Sequence, residues 1–175
     1  MAAYPAHLVH NHRLLDGRVV TVRPVRRDDV QRAQAFLSGL SGENRYLRFQ
    51  KWIEVPSDQL ACHLADVDYD RHMAFVCTAG SGDDAPIVGD ARYYVNSDNE
   101  SCEFGVMIAD AWHNTGVAGL LMDDLMNAAR RRGLTQMEGQ VLAANPSMLH
   151  FARGLGFTVS SFPEDRTTLR VVKDL

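Results

Sequence analysis

From Ser101 to Ile108 the chain alternates, with Cys102, Phe104, Val106 and Ile108 on one side and Ser101, Glu103, Gly105 and Met107 on the other, the period of a strand. From Gly116 onward the period becomes helical, with Val117, Leu121, Leu125 and Ala128 on one stripe and Asp123, Asp124, Asn127 and Arg130 to Arg132 free to face water. The three arginines suit the negative end of the helix dipole, and Gly133 stops the helix. A strand thus runs into a short turn that opens a helix, with Gly116 in the turn and Gly119 one turn on. Backbone N–H groups at a helix start lack intrahelical partners and attract anions, and glycine lets a phosphate approach the backbone closely.

Similar patterns predict the remaining elements. Val19 to Pro24 reads as the first strand, and the run Arg26-Arg27-Asp28-Asp29 opens a helix to about Leu37, with Asp28 or Asp29 as its cap. A second helix follows Ser41-Gly42-Glu43, where Tyr46, Leu47 and Phe49 form an apolar side and Arg45 and Arg48 a charged one; a third starts at Ser57. Met73 to Thr78 and Ile87 to Val95 are strands two and three, joined by the turn-forming stretch from Gly80 to Pro86. After the central strand and helix come a fifth strand at Met137 to Leu142, a helix at Ser147 to Gly154, and closing strands at Phe157 to Ser161 and Thr167 to Val172. Residues 1–16 show little periodicity and are expected to form an arm ahead of a single domain over 17–175. Their His7, His10 and His12 have no rigid element to fix ligand geometry, so no metal site is expected there.

Composition narrows the function. The 175 residues, 46% hydrophobic and 23% charged, suit one domain with a substantial core. A net charge of −4 argues against a nucleic-acid partner. Apolar runs are far too short to span a membrane, and Met-Ala-Ala-Tyr-Pro is no secretion signal, so a cytoplasmic location is expected. Cys62, Cys77 and Cys102 have neither paired spacing nor even number and read as free or buried thiols.

The central stretch resembles motif A of the GNAT superfamily of acyl-CoA-dependent N-acyltransferases, whose loop Gln/Arg-x-x-Gly-x-Gly/Ala stands here as His113-Asn114-Thr115-Gly116-Val117-Ala118. Val141 to Phe157, with Asn145 and a closing Leu-Gly-Phe, is similar to motif B. Glu43-Asn-Arg-Tyr-Leu-Arg-Phe49, Asp66 to Phe75 and Asn145-Pro-Ser-Met-Leu149 further resemble the acyltransferase domain of bacterial protein lysine acetyltransferases. The resemblance implies an α/β (α+β) GNAT fold, a mixed, mostly antiparallel sheet of six to seven strands flanked by helices and splayed between the fourth and fifth. It also implies acetyl-CoA as co-substrate, with no metal. Val106, Met107 and Ile108 would hold the pantetheine arm by their backbones, and His113, Asn114, Thr115, Gly116, Val117, Ala118 and Gly119 would receive the pyrophosphate. Asn145, Met148 and Phe151 would complete the cofactor site.

Acyl transfer to an amine needs a neutral nucleophile, and a lysine amine is largely protonated near neutrality, so a base within reach removes a barrier. Glu103 is the candidate: Gly105 leaves space beside it, and several family members carry a catalytic glutamate on this strand. The alternative is a plain surface carboxylate. The position of the family's usual tyrosine acid falls on Ala152, which cannot donate a proton. Asp66, Asp68 and Asp70 could attract a cationic lysine or simply form a solvated loop, and His72 reads as structural. The expected acceptor is a protein lysine, for a monomer or homodimer. The alternatives are a small amine, such as a polyamine, amino acid or aminoglycoside, and an acyl-CoA sensor without turnover.

Overall fold

The computed structural model describes residues 2–175. In chain order its main elements are β1 (His10–Arg13), β2 (Val19–Pro24), α1 (Val30–Gly39), α2 (Gly42–Phe49), α3 (Asp58–Ala65), β3 (His72–Ala79), β4 (Ile87–Val95), β5 (Ser101–Ile108), α4 (Val117–Arg132), β6 (Gln136–Leu142), α5 (Pro146–Gly154), β7 (Thr158–Ser161) and β8 (Thr168–Asp174). The strands form one sheet of eight, ordered β1-β2-β3-β4-β5-β6-β8-β7, in which only β5 and β6 run parallel. This is one strand more than the alternation predicts. The addition is β1, inside the expected arm, pairing His10 to Arg13 with Val22 to Val19. Its His-Asn-His-Arg sequence has no apolar side, so hydrogen bonding rather than burial makes it a strand.

Helices cover both faces. On one side α4 packs across β3, β4 and β5, and its buried stripe Val117, Leu121, Met122, Leu125, Met126 and Ala129 joins Phe75, Tyr93 and Phe104 in the larger core. On the other, Phe36 and Leu37 of α1 and Ala61 and Leu64 of α3 meet Ala74, Val76 and Met107. Ser41 and Ser57 cap α2 and α3, each hydroxyl accepting an N–H at 3.1 Å.

Two charged residues of the early helices have roles that their spacing hides. Asp29 precedes α1 but does not cap it: its buried carboxylate accepts both arms of Arg23, at 2.8 and 2.7 Å, and the Arg26 N–H at 2.7 Å. Arg45, expected on an outward charged side, is buried and donates to the carbonyls of Leu37, Leu40, Ile53 and Glu54. One guanidinium thereby ties the end of α1 to the segment leading into α3.

The expected splay lies between β5 and β6. They pair only from Ser101 to Glu103 against Gln136 to Glu138. Just past that point the Phe104 ring lies over Gly139, where an added Cβ would come within 2.7 Å of it, and Phe157 backs the ring at 5.1 Å. We expect Gly139→Val to destabilise the fold by roughly 1–3 kcal/mol, because the ring has no free volume to enter. A lowered denaturant midpoint with unchanged slope is the expected readout.

Candidate active site

The backbone of β5 opens toward the splay at one residue. Ala109 N–H donates to Val88 C=O and Asn96 N–H to Ser101 C=O, so odd-numbered β5 residues direct their backbone groups to β4. Even-numbered residues point the other way. Phe104 lies beside the last paired residue, and the Ile108 carbonyl accepts from Asn44 Nδ2 at 2.8 Å and lies 3.0 Å from His113 Nε2. Val106 therefore presents both N–H and C=O to the gap, whereas those of Met107 are turned into the sheet.

Beyond β5 the chain turns tightly, with Asn114 at φ 59° and Gly116 at φ 93°, a region glycine adopts without strain. The first hydrogen bond of the α4 ladder runs from Leu120 N–H to Gly116 C=O at 3.2 Å, so the amides of Val117, Ala118 and Gly119 precede it. Side chains added at Gly116 or Gly119 would meet nothing within 4 Å, so the space before these amides is open. The turn is locked from within: Thr115 Oγ1 donates to Trp112 C=O at 2.6 Å, and Asn44 reaches across to Asp110 Oδ1 at 2.8 Å. The His113 ring is turned to Ile108 C=O.

On α5, the Asn145 side chain is the helix cap, accepting the Met148 N–H at 3.2 Å and leaving its amide nitrogen for other partners. Met148 and Phe151 are half-buried against the larger core. Ala152 is fully buried.

Glu103 projects from the opposite face of β5, exposed, directly across from Tyr94 of β4. Gly105 does not leave the expected open space. Arg48 of α2 fills it: a Cβ on Gly105 would lie 2.3 Å from Arg48 Nη2. Asn44 and Arg48, one helical turn apart, thus bring α2 against β5. Burial pushes the Arg48 guanidinium below its ordinary range, opposed by the field of Asp90 and reinforced by that of Arg92.

The floor of this face is a closed polar network. Arg92, 1% exposed, forks onto Asp90, with Nε to Oδ1 at 2.9 Å, and donates to Leu64 C=O at 3.0 Å. Its Nη1 also lies 3.1 Å from His72 Nε2. A guanidinium only donates, so Nε2 accepts, and the proton sits on Nδ1, 3.0 Å from Asp66 C=O. His72 is therefore a neutral structural residue, stacked on Tyr94 at 4.1 Å. Tyr94 in turn meets His63 Nε2 through its hydroxyl at 3.1 Å. The acidic loop is also structural. Asp68 accepts the N–H groups of Asp70 and His72, each at 2.9 Å; Asp70 pairs with Arg132, and Asp66 lies 3.8 Å from Arg27.

A strand splayed from its parallel neighbour, an unpaired backbone facing the gap and a glycine-opened helix beside it define an acetyltransferase of the GNAT type. The family model for the Acetyltransferase (GNAT) domain matches residues 20–158, and the chain belongs to that family. It is 37% identical over 152 residues to Acetyltransferase PA5475 of Pseudomonas aeruginosa, covering 87% of this chain and 82% of that protein. The GNAT domain of S. lividans PAT superposes with a TM-score of 0.90 at 25% identity, over 99% of this chain and 100% of that one. The yncA protein of Salmonella typhimurium, solved with acetyl-CoA, shares the fold at a TM-score of 0.67 and 16% identity, over 89% of this chain and 92% of that one.

A cavity of about 490 Å³ lies elsewhere, against Tyr4, Arg26, Asp28 and Tyr69, and none of its lining belongs to β5, α4 or α5. Among the described residues no cluster of His, Cys, Asp or Glu could hold a metal, and no helix is long and apolar enough to cross a membrane. Cys77 and Cys102 are buried free thiols, with burial pushing each up to about 12.

Burial and the neighbouring Arg92 push His72 down from 6.5 to about 4. Above pH 6.5 the folded and unfolded chains both hold it neutral. As pH falls from 6.5 to about 4, only the unfolded chain takes the proton, and folding loses on the order of 2–3 kcal/mol. We expect His72→Gln to be less stable at pH 7 yet to show a shallower decline across this window, measured by urea denaturation at a series of pH values.

Proposed function

We propose that this chain transfers an acetyl group from acetyl-CoA to a primary amine, with a protein lysine as the acceptor class and Glu103 as the general base. The observation that carries the reading is the pairing of two features on one strand. Val106 turns free backbone groups into the splay, and Glu103 stands exposed on the acceptor face nearby. The acetyl-CoA seen with yncA and the likeness to the S. lividans PAT domain support the choice of donor and acceptor.

In this reading the diphosphate of coenzyme A lies before the amides of Val117, Ala118 and Gly119, where the helix dipole favours negative charge. The pantetheine arm pairs with Val106 as an added strand, flanked by Asn145, Met148 and Phe151, and the Val106 N–H polarises the thioester carbonyl. Glu103 removes a proton from the acceptor ammonium, directly or through water. The amine then attacks the carbonyl carbon, the C–N bond forms, the C–S bond breaks, and the amide product loses its extra proton. Coenzyme A leaves as the thiolate, a tolerable leaving group, which suits a site with alanine at position 152.

Glu103→Gln should retain acetyl-CoA affinity and lower turnover on the order of 100-fold or more, with the acidic limb of the pH–rate profile abolished. An unchanged profile removes Glu103 from this role. Gly119→Asp should fold normally, since the space is open and a carboxylate suits a helix start, yet weaken acetyl-CoA binding by about tenfold, or ~1.4 kcal/mol. Equal affinity by calorimetry places the diphosphate elsewhere. Tight acetyl-CoA binding without thiol release for any amine supports the sensor reading instead.

A further inference from the structure

The acceptor face of the sheet holds its charges in satisfied pairs, with two exceptions. Asp90 is bound to Arg92, Glu138 to Arg170, and His72 is neutral. Arg48 and Glu103 have no hydrogen bond among the described residues, although Arg48 feels the field of Glu103. Arg48 Nε is sealed from solvent with no hydrogen-bond partner, and the guanidinium lies over Gly105 and 5.2 Å from the Phe49 ring. Asp90 and Glu103 act on Arg48 through space, but neither accepts its Nε–H, and a buried donor without an acceptor is costly, so a cleft wall that keeps one is arranged for an acceptor that arrives. Exclusion of a side chain at position 105 is what makes room for it.

The spacing sets the ligand's chemistry. Arg48 lies over Gly105, two residues along the strand from Glu103, a separation of about 6–7 Å between their places on the sheet. A carboxylate and a guanidinium on neighbouring places of one face, neither hydrogen-bonded to the other, complement a molecule with an ammonium and an anion close together. The guanidinium fork fits a carboxylate bidentately.

We propose that Arg48 is an acceptor-binding residue that recognises a carboxylate on the acceptor, close to the amine presented to Glu103. The carboxylate belongs either to a free amino acid or to an Asp or Glu side chain flanking the acceptor lysine. This rests on the acetyltransferase reading above and narrows its acceptor.

The test compares matched acceptors with acetyl-CoA, following thiol release. One arm uses free lysine against lysinamide; the other uses lysine peptides flanked by Glu against the same peptides flanked by Gln. The wild-type protein is expected to favour the carboxylate partner at least about tenfold in kcat/KM, mostly through KM, in whichever arm holds the true source. Arg48→Met should bring that preference close to unity and Arg48→Lys should keep part of it, with acetyl-CoA affinity unchanged in both. Glu103→Gln should lower turnover with every acceptor and leave the preference intact. No preference in either arm overturns the proposal, as does a preference that survives Arg48→Met. A loss of turnover equal for all acceptors in Arg48→Met also overturns it, since Arg48 would then act on the acyl group. If no acceptor turns over, the acetyltransferase reading fails by itself. Calorimetric binding of the same pairs to coenzyme A-loaded protein then decides the proposal: discrimination lost in Arg48→Met upholds it, and absence of discrimination ends it.

Discussion

Three residue pairs hold β5 to β6 before the strands part, and the rest of the site depends on that short seam. A longer seam would satisfy the backbone of Val106 within the sheet and leave nothing for a ligand to pair with. A shorter one would detach β6, β8 and β7 from the rest. Backbone polar groups left unpaired are tolerated where water or a ligand can reach them, and the gap is such a place. Phe104 over Gly139 marks where the strands diverge, packed on the larger core through Phe157. Asn44 and His113 occupy the Ile108 carbonyl at the far end, so the opening is bounded on both sides of Val106.

The two faces of β5 have different tasks because strand side chains alternate. Even-numbered residues belong to the core beneath α4, which fixes the strand rigidly. Odd-numbered residues face α2, where Glu103, Gly105 and the Arg48 above it line one wall. Polar groups on the floor below are buried and mutually satisfied: Arg92 alone engages Asp90, Leu64 and His72. Such a network keeps Tyr94 and the strand beside Glu103 in one arrangement, since each lost contact would leave a buried polar group unpaired.

Motif spacing made much of this legible. Strand alternation at 101–108, the change of period at Gly116 and the two family motifs were enough to locate the sheet, the splay and the helix start. Strand β1 was hidden, because an edge strand with polar residues on both sides has no burial to record in its sequence. The charged side of α2 also misled. Arg45 and Arg48 have the spacing of a solvent-facing stripe, yet one binds four carbonyls and the other covers a glycine on a strand far along the chain.

What the sequence determined by itself was local: which segments alternate or wind, where glycine permits the turn, and which carboxylate lies on the exposed face of the central strand. Only the tertiary structure decided how charges meet. It paired Asp70 with Arg132 and placed His72 between Arg92 and Asp66, so neither is left for catalysis. It also set Arg48 over Gly105 near Glu103, with its Nε–H lacking an acceptor. The physical reason is that charge satisfaction depends on distances through space between residues far apart in the chain, whereas periodicity records only which side of an element is turned from water.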